Sequence, residues 1–272
     1  MHGHPVDGHG GGSWAALVPA AVVLLLAVVY LGLAHRADRP ARGQRWRTAS
    51  FLTGCVLLAV ALLPPIAPFA HEDFRGHMLQ HLLIGMYAPL ALVLGAPITV
   101  LLRALPAHRA RRLTRLLRSR AMGLLANPIT ALCLSTGSLG VLYFTPLYDA
   151  ATGHPTLHLL LHVHFLLSGC LFAWVIAGPD PAPARPTVPV RLTVLGVAIA
   201  AHAIIAQLMY GGFFIDVHAP IAQLRGGAEI MYYGGDIAEL LLAAALVATW
   251  RPARRTATFR PPSQHVTDAP AR

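Results

Sequence analysis

Histidines spaced four residues apart are the feature of this sequence most able to do chemistry. His77 and His81 share one helical face, and His154, His158 and His162 form a second column at i, i+4 and i+8. Neutral imidazole donates to Cu, Zn, Ni or Fe, and a helical i, i+4 pair can hold one ion between its rings. His164 points nearly opposite to His162 and stands apart from the column. Glu229 and Asp236 lie two turns apart on one face of the last apolar segment, with Glu239 further along. A carboxylate there could ligate a metal or orient a ligating histidine through its second nitrogen. Met78, Met209 and Met231 add thioethers, which favour Cu(I). The candidate metal ligands are therefore His77, His81, His158, His162 and Asp236, followed by His154, His202, Glu229, Glu239 and Met231. Each also has a plain structural reading. His77 and His158 could cap an interface, His202 could be a hydrogen-bonded core histidine paired with Glu239, and the methionines could pack.

The elements that must position these residues are membrane spans. The 272 residues are 56% hydrophobic and only 12% charged, with a mean hydropathy of +0.58. A soluble domain carries about 25% charged residues, so this composition points to lipid as the solvent. A disordered chain is excluded by the apolar content, and a disulfide scaffold by three cysteines in this length. A crossing helix needs about 20 apolar residues. Seven stretches qualify, near Trp14–Ala34, Ala49–Ala70, His77–Leu102, Leu124–Tyr148, Thr156–Gly178, Leu192–Ile215 and Ala228–Trp250. The expected fold is all-α, a polytopic bundle of seven transmembrane helices.

All 21 cationic residues are arginine. With seven spans, 19 of the 21 fall on alternate loops and only Arg75 and Arg225 on the other side. The positive-inside rule then places the N-terminus outside and the C-terminus in the cytoplasm. The same asymmetry explains the net charge of +10 as topology, with no nucleic-acid partner. It also sets depth. His71, His77, His81, His154, His158 and His162 gather at the outer side, His202 lies near mid-membrane, and Cys55, Cys133 and Cys170 lie deeper or inward, as small apolar residues.

Three regions are expected. Residues 1–13 form an external His/Gly-rich tail holding His2, His4 and His9. Residues 14–250 form the seven-span domain, and residues 251–272 a basic cytoplasmic tail, disordered by composition. The first apolar run reads as a retained span instead of a signal peptide, because no Lys or Arg precedes it and its arginines follow it.

Three segments carry a family resemblance. The first is His77-Met-Leu-Gln-His81 with Ala88-Pro89 and Gly95-Ala96-Pro97. The second is His158-Leu-Leu-Leu-His162 with Phe165, Gly169, Leu171-Phe172-Ala-Trp174 and Asp180-Pro181. The third is Gln223-Leu224, Gly226-Gly227, Ile230-Met231 and Gly234-Gly235. Together, over about residues 50–250, they resemble the CtaG family of multi-span bacterial cytochrome c oxidase (caa3-type) assembly proteins. The sequence departs from that pattern at Ile221-Ala222, at Tyr232 and at Glu229. The resemblance implies a non-enzymatic assembly factor of the bacterial inner membrane, with cytochrome c oxidase subunits as partners. Its implied task is to bind copper at the outer face and help deliver it. Two other readings of the same residues are a b-type haem protein with His81 and His162 as axial ligands, and a seven-span zinc hydrolase.

Overall fold

The computed structural model describes residues 12–37, 43–183 and 185–250, and the expected tails over 1–11 and 251–272, with His2, His4 and His9, lie outside them. The described residues are mostly helical, with no strand among them. Helix α1 (Gly12–Arg36) is followed by α2 (Gln44–Leu62), α3 (Ile66–Glu72) and α4 (Phe74–Leu82). A π-helical turn at Leu83–Tyr87 leads into α5 (Ala88–Leu94), and then come α6 (Pro97–Ala104), α7 (Ala107–Leu117), α8 (Arg120–Leu125) and α9 (Pro128–Leu132). A second π turn at Cys133–Gly137 precedes α10 (Ser138–Tyr143) and α11 (Leu147–Gly153). Three long helices close the chain, α12 (Pro155–Ile176), α13 (Val188–Gly211) and α14 (Ile221–Thr249).

Six of these stretches are long and apolar enough to cross a membrane, and a seventh is counted if α9–α10 and α11 form one bent span. Their outward faces are apolar, as lipid contact requires: Leu24 and Leu25 of α1, Leu159 and Leu167 of α12, and Leu240 and Val247 of α14 are all exposed.

The expected fourth span, Leu124–Tyr148, is not a straight helix. The chain turns by 82° between α10 and α11. Pro146 is the cause: it offers no N–H and disfavours helical geometry at Thr145. The expected second span is also shifted. It begins at Gln44 and ends at Leu62, because Leu63 is extended ahead of Pro64-Pro65. The third begins at Phe74, where the Asp73 carboxylate accepts from the Arg75 backbone N–H at 2.8 Å. It ends at Leu94, where Ala96 turns left-handed (φ 53°) before Pro97 starts α6.

Contacts sort the loops into two ends. At the Arg-poor end the Phe74 amide donates to Gln223 Oε1, the Asp216 amide donates to the Tyr143 carbonyl, and His218 pairs with Asp149. At the Arg-rich end the Asp180 carboxylate accepts from the amides of Ile98 and Thr99, capping α6, and Thr249 donates to the Ala177 carbonyl. Burial pushes the Asp180 carboxyl up, and the Thr99 and Ile98 bonds oppose that shift. Two apolar clusters fill the interior. One gathers Phe74, Met78, Tyr143, Met209 and Met231, and the other Trp174, Leu195, Leu242 and Leu246.

Helix α12 crosses the first π turn at close range, and Gly169 allows it. A Cβ at Gly169 would collide with the Gly85 carbonyl oxygen, which is backbone and cannot swing aside. Gly169→Ala should therefore cost about 1–3 kcal/mol and lower the unfolding temperature in detergent. Gly123→Ala, with nothing within 4 Å of its Cβ position, serves as the neutral comparison.

The His218–Asp149 pair fastens the α13–α14 loop to α11. The carboxylate raises the His218 pKa above its ordinary 6.5. A raised folded-state pKa means the pair contributes below pH 6.5 and is lost as pH rises through the raised value. A histidine NMR titration should show His218 titrating above 6.5, and Asp149→Asn should lower it towards the ordinary value, with Asp216 still holding it up in part.

Candidate metal centre

The two histidine columns meet. His77 and His81 from α4 and His158 and His162 from α12 line one small cavity of about 10 Å³, room for a single water-sized guest. Tyr148, Ala151 and Thr152 of α11 close it from the side, and Ile84, Leu161 and Phe165 complete the apolar wall. The 82° bend at Pro146 folds α11 over the histidines and puts Tyr148 there.

The imidazoles form a graded series from solvent inward. His71 is exposed at the end of α3, and its ring centroid stands 5.1 Å from that of His158. His158 and His162 are half-buried, with ring centroids 4.3 Å apart. His77 and His81 are buried, at 8% and 6% exposure. The His77 ring packs edge-on to Tyr148 at 4.8 Å, and His81 edge-on to Phe165 at 4.5 Å. His77 Nε2 is buried without a hydrogen-bond partner. A buried nitrogen left unpaired in this way is costly unless something binds it. Among the described residues, no three or more His, Cys, Asp or Glu side chains stand close enough to hold one ion as they are.

His81 and Phe165 also line a second cavity, deeper in the bundle and about 60 Å³ in volume. His202 of α13 and Glu239 of α14 face it, at 2% and 3% exposure, with His202 Nδ1 3.9 Å from Glu239 Oε1. That gap is too long for a hydrogen bond, and His202 Nε2 and Glu239 Oε2 have no partner either. His202 and Glu239 are thus neighbours, as expected, but the expected hydrogen bond between them is not formed. Gly235 makes the room, because a Cβ there would collide with the His202 ring. Both π turns border this cavity, through Gly85 and Met86 on one side and Ser135 and Thr136 on the other. Such turns are rare and are often found at functional sites.

Several candidates stand elsewhere. Asp236 is half-buried and lines neither cavity, while Glu239, three residues on, lines the deep one. His154 is exposed at the start of α12. Glu229 is exposed beside Tyr210, Tyr232 and Tyr233 in a surface groove away from the histidines. Met231 is fully buried in the apolar core with Met78 and Met209, and Met78 Sδ accepts from the Tyr143 hydroxyl at 3.8 Å. His164 bonds the Leu134 carbonyl at 3.1 Å, which takes it out of the column as its helical angle suggested.

The sequence reading placed His71 at the same side but not among the candidate ligands, and it missed Tyr148 and Phe165 as neighbours of the imidazoles and Ser135 and Thr136 as walls of the deep cavity. A signal for Glu239 over Asp236 was present in the pattern. Leu224, Ala228, Met231, Gly235, Ala238, Glu239, Leu242 and Leu246 form the buried stripe of α14 at helical spacing, and Asp236 falls about 100° off Gly235.

An uncharacterized protein of Mycobacterium bovis is 36% identical over 198 residues, which cover 69% of this chain and 30% of that protein. An uncharacterized protein of Mycobacterium leprae is 34% identical over 193 residues, covering 67% of this chain and 29% of its own. The chain thus spans about 30% of the length of the curated relatives it matches. No solved structure matches it. The sequence profile described as cytochrome c oxidase caa3 assembly factor (Caa3_CtaG) matches residues 28–253, nearly the whole described bundle, and the chain belongs to that family.

Proposed function

We propose that this protein binds copper at the Arg-poor end of the bundle and passes it to a cytochrome c oxidase during assembly, as a carrier and not a catalyst. The observation that carries the reading is the meeting of four histidines from α4 and α12 on one cavity. Imidazole is a good copper donor and a weaker cage than four thiolates, which suits a cargo that must leave again. The positive-inside rule puts this end outside the cell membrane of a bacterium, with the C-terminus in the cytoplasm. The gradient from exposed His71 through half-buried His158 and His162 to buried His77 and His81 offers the ion successive imidazoles on entry and exit. Because no three ligands are preassembled among the described residues, loading there requires imidazole rotamers to close on the ion. The cavity's size favours a bare ion over a porphyrin. Glu239 takes the place expected of Asp236, as the carboxylate that shares a cavity with His81.

The test is the copper content of the host's oxidase. A strain carrying His81→Ala or His162→Ala should insert the protein normally yet yield copper-deficient oxidase. Wild-type oxidase copper in both strains would reject the carrier role.

A further inference from the structure

The Arg-rich end holds a groove of about 1070 Å³, at the upper limit of ordinary ligand sites of about 300–1,000 Å³. Three arginines line it: Arg47 of α2, Arg185 of the α12–α13 loop and Arg191 of α13. Arg191 is only 7% exposed, and its NH1 donates to the Ile176 carbonyl at 2.8 Å, capping the C-terminal end of α12. Its Nε is buried with no partner. Arg185 donates to the Asp180 backbone carbonyl at 2.6 Å. Burial and the neighbouring Arg191 push the Arg185 guanidinium down, and the Asp180 carboxylate partly opposes them. Both guanidiniums thus bond neutral carbonyls, and among the described residues none of the three arginines forms an ion pair. The nearest carboxylate, Asp180, is buried and occupied by Ile98 and Thr99. Among the described residues Arg47 and Arg185 share the field of one nearby carboxylate, Asp180, and no acidic side chain lines the groove, which keeps a net positive charge.

Apart from Thr187 and Thr249, the rest of the lining is apolar and continues to the lipid-facing surface. Leu241 borders the groove and is 48% exposed, and the indoles of Trp46 and Trp250 flank it at 71% and 54% exposure. Indoles at a span end sit at headgroup level, and a basic pocket between spans at that depth suits a phosphate with attached acyl chains. We propose that this groove binds the headgroup of an anionic phospholipid, its phosphate on Arg47, Arg185 and Arg191 and its chains along α14. The site is independent of the histidine cavities and of what they carry.

The experiment uses the full chain in mixed micelles, with lipid retention read by native mass spectrometry. Phosphatidylglycerol should be retained at least about 10-fold better than phosphatidylcholine. The double variant Arg47→Gln, Arg185→Gln should lose that preference. A control double variant, Arg109→Gln with Arg112→Gln, removes the same charge from exposed positions on α7 and should keep it. Arg191 is left intact because it closes α12. Phosphatidylglycerol carrying brominated acyl chains should also quench the tryptophan fluorescence more than brominated phosphatidylcholine. Equal retention of the two lipids, or equal loss in both double variants, would overturn the proposal. Displacement of the lipid by millimolar inorganic phosphate would assign the groove to a soluble anion and overturn it likewise.

Discussion

His81→Ala should lower Cu(I) affinity more than any other single change, measured by competition with a Cu(I) chelator on purified protein. His81 is the one histidine that lines both cavities, and it is 6% exposed, so no outside group can take its place. Losing an outer-shell partner costs a metal site about 10- to 100-fold in affinity. Losing a ligand should exceed that. His162→Ala should follow closely, and His158→Ala should cost less, because His71 stands beside it and can substitute. His164→Ala should leave affinity unchanged, since that ring is engaged with the Leu134 carbonyl. The same holds for His35→Ala and His108→Ala at the Arg-rich end. Unchanged affinity in both His81→Ala and His162→Ala would remove the four-histidine cavity as the copper site, whatever the oxidase phenotype.

The largest effect on stability should come from the deep pair. His202→Leu leaves the Glu239 carboxyl without the imidazole that stands 3.9 Å away, in a largely apolar chamber, and Glu239→Leu strands the imidazole in the same way. Exposing one ionisable group to a membrane interior costs about 2.5–3.5 kcal/mol on insertion scales. Each single change should therefore destabilise the bundle by roughly 2–3 kcal/mol, less a part recovered by apolar packing. The double change to leucine removes both polar groups together and should be closer to wild type than either single change, because one unpaired partner is worse than none. A double-mutant cycle by thermal or detergent unfolding measures the coupling. Additive losses would mean that His202 and Glu239 do not stabilise one another, and that each is satisfied by something else.

Much of the molecule is legible along the chain because the relevant signals are local. Apolar run length marks the spans, since each crossing helix must satisfy its own backbone in lipid. Arginine alternation pairs the loops by side, and contacts such as Gln223 with Phe74 and Thr249 with Ala177 group the same loops at the same ends. Spacing of four residues places His77 with His81 and His158 with His162, because helical geometry alone requires it. The three motif segments are likewise contiguous, and the family followed from them.

What the chain's linear order leaves open is how each helix is rotated and which helix it faces. Asp236 and Glu239 differ by about 60° around α14, and only the packing of Gly235 against His202 decides that Glu239 turns inward. Hydropathy runs through Phe144-Thr145-Pro146 without a break, yet the proline bends the chain there and lays Tyr148 and Thr152 over the histidines. The two π turns each insert a residue into a helical turn and so reset which side chains face the deep cavity. His71 joins His158 because α3 turns back onto α4, across an interval that no periodicity spans. By itself the sequence determined the spans, the charge asymmetry and the two imidazole columns, which depend on each helix alone. Only the tertiary structure decided that those columns share one cavity and that His81 joins it to the His202–Glu239 pair, because that depends on how separate helices rotate and cross.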